Sequence, residues 1–245
     1  MRVRWLCTVL AAVVALGACV GIAAQQAKKS TTQKKEPETV QGRADVLKST
    51  WGDKTEVLMK GNVKFTSDDM VLTSDLVTYD KQTKTAVSPG KLTITSNEAD
   101  MTGDKGTADF NKRLGTLSGN VEMLLKPKPE DQANDDEDSV RAQVTKPTTI
   151  TCENLEYLYQ EKIATATGGV HFKQDKRTAQ AQKAVYNSDT ELLMLTGEVK
   201  GVDEDGQTFS APSVTISLKR GDEWMEAQNA SASFKIDLDE LEDEE

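Results

Sequence analysis

A glycine recurs along this chain at a fixed interval, each time two residues ahead of an apolar side chain. The steps are Gly61-Asn62-Val63, Gly90-Lys91-Leu92, Gly119-Asn120-Val121, Gly168-Gly169-Val170 and Gly197-Glu198-Val199. The first three glycines are 29 residues apart, as are the last two. The remaining gap, Gly119 to Gly168, is 49, and removing the 20 residues of the acidic, proline-containing stretch 127–146 restores 29. One period therefore runs through the body of the chain, interrupted by one loop. A repeated unit of this size cannot bury its apolar face alone, so successive copies have to stack.

A second mark keeps step with the first. Tyr79, Phe110, Tyr157 and Tyr186 each precede a repeat glycine by 9 or 11 residues, with a polar turn such as Asp80-Lys81-Gln82-Thr83 or Asn187-Ser188-Asp189-Thr190 between. Each unit reads as strand, turn, strand, glycine bend, strand. The strands alternate: Val63 and Phe65 share one face, as do Leu92 and Ile94, Val170 and Phe172, Val214 with Ile216 and Leu218, and Phe234 with Ile236 and Leu238. Period-two alternation predicts half-buried strands with one apolar face, hence an all-β fold. The leucine-rich repeat pattern is absent. A parallel β-helix stays open, but the hairpin turns favour repeated antiparallel strands in two facing sheets, a long jelly roll or half-open barrel.

The first 24 residues stand apart. Arg2 and Arg4 precede an uncharged run from Trp5 to Ala24, the charged and apolar regions of an export signal. Three fates are open. Leu16-Gly17-Ala18-Cys19 has the form of a lipobox, which would leave Cys19 as a lipidated N-terminus. Ala23-Ala24 offers a small-residue cleavage site, and the 20-residue run is just long enough to stay as a membrane anchor. Residues 25–42, lysine-rich at first, read as a flexible linker. The β body spans 43–238 with the acidic loop 127–146, and 239–245 is an acidic, disordered tail.

The chemistry of the chain is sparse. The formal net charge of −10 argues against a nucleic-acid partner. Cys7 and Cys19 lie in the signal, so Cys152 is the body's lone thiol and reads as a packed strand residue. With one histidine, His171, no His-cluster metal site can form, and the side chain points away from Val170 and Phe172 into solvent. The acidic run at 131–138 lacks the glycine and final glutamate of a calcium loop. No Gly-x-Ser-x-Gly elbow or phosphate loop occurs. Asp68-Asp69 and Asp203-Glu204-Asp205 read as solvated turns, and Asn229-Ala230-Ser231 as a chance glycosylation sequon. The expectation is a non-enzymatic protein with no catalytic residue, no cofactor and no metal.

Ala184-Val185-Tyr186-Asn187, then Leu192 through Thr196, then Gly197-Glu198-Val199, resembles the OstA-like repeat. Gly61-Asn62-Val63 and Leu117-Ser118-Gly119-Asn120-Val121 match the same ending. That family comprises the periplasmic lipopolysaccharide-transport proteins LptA and LptC and the N-terminal domain of LptD. The resemblance covers roughly residues 43–236. It implies a twisted β-jelly roll open along one edge, a periplasmic location, end-to-end docking with other jelly-roll transport proteins by edge strands, a link to an inner-membrane transporter complex, and lipopolysaccharide or another glycolipid as ligand. The loop 127–146 and the acidic tail depart from the family's pattern. A dry apolar trough can hold an acyl chain of about 12 carbons with roughly 10 kcal/mol of gross burial, without any charged pocket. The candidate rungs follow the glycines: Val63, Phe65, Leu92, Ile94, Val121, Met123, Val170, Phe172 and Val199. Each also reads as ordinary core, which leaves a structural or partner-binding β-repeat protein with a closed core as the alternative.

Overall fold

In the computed structural model, which describes residues 40–233 apart from 52–54, 68–69, 97–98, 127–146, 188, 205 and 220–221, every regular element is a β-strand. In chain order these are β1 (Gln41–Arg43), β2 (Val46–Ser49), β3 (Glu56–Thr66), β4 (Met70–Asp80), β5 (Thr85–Ser88), β6 (Leu92–Ser96), β7 (Ala99–Gly103) and β8 (Lys105–Asp109). There follow β9 (Leu114–Leu125), β10 (Thr148–Leu158), β11 (Ile163–Gln174), β12 (Arg177–Asn187), β13 (Leu192–Val202), β14 (Thr208–Lys219), β15 (Asp222–Gln228) and β16 (Ser231–Ser233). Residues 1–39, the loop 127–146, Asp68-Asp69, Asp205 and everything after Ser233, including the expected strand of Phe234, Ile236 and Leu238, lie outside the described residues. The first strand starts at Gln41, two residues ahead of the expected edge of the body.

All sixteen strands belong to one sheet, and every pairing in it is antiparallel, which disposes of the parallel β-helix. Four pairs of short strands, β1/β2, β5/β6, β7/β8 and β15/β16, are the two halves of one bent strand, so the sheet is twelve strand positions wide. Each 29-residue repeat is thus one up-and-down pair, and every repeat glycine falls on a strand running in the same direction.

The glycines do not open strands as their spacing suggested. Four of the five sit in the middle of an 11- or 12-residue strand, where two residues oppose one on the neighbour. Gly61-Asn62 face a single residue between Ser74 and Leu76, and Gly119-Asn120 a single residue between Cys152 and Asn154. Both residues of each step take positive φ: Gly61 +74° and Asn62 +45°, Gly119 +75° and Asn120 +45°. Such a β-bulge bends the strand, and glycine enters that conformation without steric cost. The Gly61 and Gly119 bulges are pinned alike. Asp45 N donates to Gly61 O and Asp104 N to Gly119 O, both at 2.9 Å. Asn62 Nδ2 then donates to Asp45 Oδ2 at 2.8 Å, and Asn120 Nδ2 to Asp104 Oδ2 at 2.6 Å. At Gly90 the strand is broken outright into β5 and β6, and Ser74 and Ser88 fill the corner with a buried hydroxyl pair 2.7 Å apart.

Stacked side by side, these corners fold the sheet into two walls over one apolar core, the partly open β-jelly roll expected. The first wall ends in the hairpin turns, where Asp80 Oδ1 accepts from Gln82 N and Thr83 N, and Asn187 Oδ1 from Asp189 N and Thr190 N. Residues before each bulge therefore line the first wall and residues after it the second. Among the described residues the sheet does not close: β1/β2 and β15/β16 remain as two free edges, one at each end.

Candidate functional site

Alternation within the walls points one side chain in two toward the space between them. On the second wall the inward row farther from the corner can be followed through paired residues from one free edge to the other. Phe65, Leu72, Ile94, Met101, Met123 and Ile150 come first, each opposite the next. Phe172, Ala179, Gly201 and Phe209 continue it to Ala232 on β16. No charged residue interrupts it. The first wall answers with Tyr79, Ala86, Ala108, Gly115, Tyr157 and Ala164, then Tyr186, Leu193, Ile216 and Met225, equally without charge.

The nine rungs picked from the sequence all fall on the second wall. Val63, Leu92, Val121, Val170 and Val199 sit next to the corner, while Phe65, Ile94, Met123 and Phe172 belong to the row beyond. Eight of them are buried, and Phe172 is half-buried. The facing wall went unread, although its tyrosines were the second mark of the repeat. Tyr157 and Tyr186 are buried, and Tyr79 stacks edge-on against Phe110 with ring centres 5.8 Å apart.

The interior is not uniform along its length. From β3 to β10 the second wall's row is filled by large side chains, and Leu72, Ile94 and Met101 are at most 1% exposed, against Ala86, Ala108 and Gly115 on the first wall. From β11 onward the inward positions turn small: Ala164, Ala166, Ala179, Ala181, Ala184, Gly201 and Ala211. There Val170, Tyr186, Leu195, Val199 and Val214 are buried, while Phe172 and Phe209 on one wall and Leu193 and Ile216 on the other are only half-buried. At the free edges inward-facing side chains stand open to solvent, Leu47 on β2 at 65% and Met225 on β15 at 57%. The space between the walls is therefore sealed from solvent at one end, partly reached by it toward the other, and free of charge in both inward rows.

The polar side chains stay outside this space. His171 is exposed on the outer face of β11, as its alternation predicts. Asp203 and Glu204 lie in the turn before β14, with Glu204 paired to Arg177 at 2.8 Å. Cys152 is buried in the row beside Val121, its Sγ donating to Asn154 O at 3.4 Å, and burial pushes its thiol up to about 11. The thiolate is the reactive form. Native Cys152 is therefore expected to react with iodoacetamide at pH 8 on the order of a hundredfold more slowly than after unfolding. Equal rates would mean that the corner row opens to solvent. The sign for stability follows: the unfolded thiol ionises first, so the stability it lends falls as pH rises from about 9 toward 11.

Residues 86–222, more than half of the chain, match the family model described as LptA/(LptD N-terminal domain) LPS transport protein. The chain belongs to this family. The matched region takes in the strands from β5 to the start of β15, and so most of both walls, including the half-exposed rungs Phe172 and Phe209. Among solved structures, the chain is similar to LptH from Pseudomonas aeruginosa, described as the LptA homologous periplasmic component of the conserved lipopolysaccharide transport device. The identity is 14%, over 68% of this chain and 96% of that one, with a TM-score of 0.34. A comparison with curated proteins finds no match.

Proposed function

We propose that the protein is a non-enzymatic periplasmic carrier of lipopolysaccharide or a closely related glycolipid, holding acyl chains between its two walls and passing them along the sheet. The observation that carries this reading is the charge-free inward row running from one free edge to the other, half-open from β11 onward. A chain of about 12 methylenes transferred from water to that space gains roughly 10 kcal/mol before the costs of ordering it. Repeated rungs of similar apolar character make no single position a deep trap, so a bound chain can move under a push supplied elsewhere. In this reading acyl chains enter along the stretch from β11 to β14, because the half-exposed Phe172 and Phe209 are the rungs that solvent reaches there.

The same reading gives the edges a use. β15/β16 of one jelly roll, laid antiparallel beside β1/β2 of another, continues both walls, because the sheet has an even number of strand positions. Leu47 and Met225 would then be covered on the inside, and Val46, Trp51 and Trp224, exposed at the same edges, on the outside. A transporter component of the inner membrane or an outer-membrane partner of the same fold would dock in this way.

A photo-crosslinking amino acid at Phe209 or Phe172 should capture lipopolysaccharide in cells of a producing host. The same group at His171, one residue away but on the outer face, should capture none. Equal labelling from both faces, or none from either inner site, would remove the interior as the lipid path.

A further inference from the structure

Four hairpins at the free end of the first wall finish on a residue that is not glycine yet takes positive φ. These are Lys84 at +54°, Arg113 at +53°, Lys162 at +55° and Glu191 at +56°. They keep the period of the chain, at steps of 29, 49 and 29 residues. Glycine enters this region freely and asparagine readily, whereas a long side chain crowds its own backbone there. Three successive copies nonetheless carry a cation, which the turn itself does not call for.

The cations alternate with rings. Phe110 N donates to Lys84 O at 3.0 Å and Tyr159 N to Arg113 O at 3.1 Å, so both ladders continue one residue past the strand ends. Asn111 Nδ2 donates to Thr83 O at 2.9 Å and ties two turns together. Along this end the order is Lys84, Phe110, Arg113, Tyr159, Lys162, with successive cations about 10 Å apart, two strands each. The rings belong to the interior: Phe110 meets Tyr79 of the inward row, and both Phe110 and Tyr159 pack against the core. Burial raises the Tyr159 phenol and the charge of Arg113 pulls against it, so the guanidinium lies near the ring.

Lys84 and Arg113 are exposed and form no ion pair among the described residues, while Lys162 meets Asp189 at 2.5 Å. In a chain of −10 this is a local reversal of charge. Residues 80–84, 109–113 and 159–162 hold five cations against three carboxylates, and 187–191 hold two carboxylates and no cation.

We propose that Lys84 and Arg113, flanked by Lys162, bind the phosphate groups of a glycolipid headgroup whose acyl chains lie between the walls. The inference rests on the lipid reading above and adds a headgroup site to it. Charge gives that site a direction. A headgroup arriving with its chains along β11 to β14 is repelled by Asp189 and Glu191 and drawn toward Lys162, Arg113 and Lys84. Phe172 lies on β11, the strand that Lys162 leads into, so chains seated at that rung bring the headgroup to the near end of the row. An exposed cation holds a lone anion weakly, but a lipid anchored by its chains meets the row at high effective concentration.

The test is titration of the exported protein, at about 50 mM salt, with lipopolysaccharide and with the same lipopolysaccharide stripped of phosphate. The wild type should bind the phosphorylated form about tenfold tighter. Lys84→Asn combined with Arg113→Asn should bind both forms alike, and should melt no lower than the wild type because asparagine suits the φ. Glu191→Lys, which extends the row, should widen the preference, whereas Phe172→Asp should weaken both forms together. A wild type without the preference, or a double variant that keeps it, would overturn the headgroup site and leave the interior as the lipid path. Displacement of the lipid by inorganic phosphate would make the row a site for free anions. Binding to phosphatidylglycerol vesicles that the double variant loses, with no preference between the two lipopolysaccharides, would make it a membrane contact. Either result overturns the proposal. A wild type that binds neither lipopolysaccharide would overturn the lipid reading itself, and this site with it.

Discussion

Replacing Gly168 with valine is expected to cost about 3 kcal/mol or more of folding free energy, read as a lower denaturation midpoint with an unchanged slope. Gly168 sits in the β11 bulge at φ +84°, where a β-branched residue is a steric outlier. A Cβ there would come within 2.5 Å of the Cβ of Glu153 on the neighbouring strand, so the backbone itself would have to move. The contrast is the equivalent glycine of another copy. At Gly90 the φ is not positive and an added Cβ meets nothing within 4 Å, so Gly90→Ala should change stability by about 0.5 kcal/mol or less. Equal losses at the two sites would show that the bulges do not set the corner of the sheet.

An aspartate separates the packed end of the interior from the open one. Ile94→Asp places a carboxyl where the native side chain has no exposure and no polar partner in its row. Losing a packed isoleucine and burying a polar group together exceed about 5 kcal/mol, a large fraction of the stability of such a domain, so this variant should not fold. Phe172→Asp lies at a half-exposed position between Ile150 and Ala179, where the new carboxylate can reach water. It should fold, with a loss of about 1 to 2 kcal/mol, while binding to glycolipid drops at least tenfold. Circular dichroism melts report the first effect and lipid titration the second. A Phe172→Asp variant that binds lipid like the wild type would move the lipid path away from the second wall.

The period and the alternation were legible because they follow from the pleat: a strand with one wet face must alternate, whatever its partners. The role of the glycines was harder to read. Spacing marks where the chain needs freedom, not the φ it takes, and only pairing shows that Gly61-Asn62 oppose one residue of β4. The unread bulge hid the first wall as well. Tyr157 and Tyr186 face inward on the far side of a two-against-one step, so their parity cannot be carried across it from Val121 or Val170. The difference between a sealed and a half-open interior escaped for another reason. Phe65 and Phe172 occupy equivalent rungs, each between one large and one small neighbour, Leu72 and Gly42 against Ile150 and Ala179, yet only Phe65 is buried. Exposure of a rung depends on what packs over it from the rest of the fold, which no local pattern carries. His171 was placed correctly from alternation alone, which depends only on its own strand, and Cys152 from the tendency of a lone free thiol to be packed.

Native mass spectrometry of the exported protein, purified without detergent from a lipopolysaccharide-producing host, tests the central claim most directly. The account predicts a mass carrying a glycolipid adduct that Phe172→Asp removes. A bare mass that stays bare when glycolipid is added would contradict it and leave a β-repeat protein whose interior serves only to hold its two walls together.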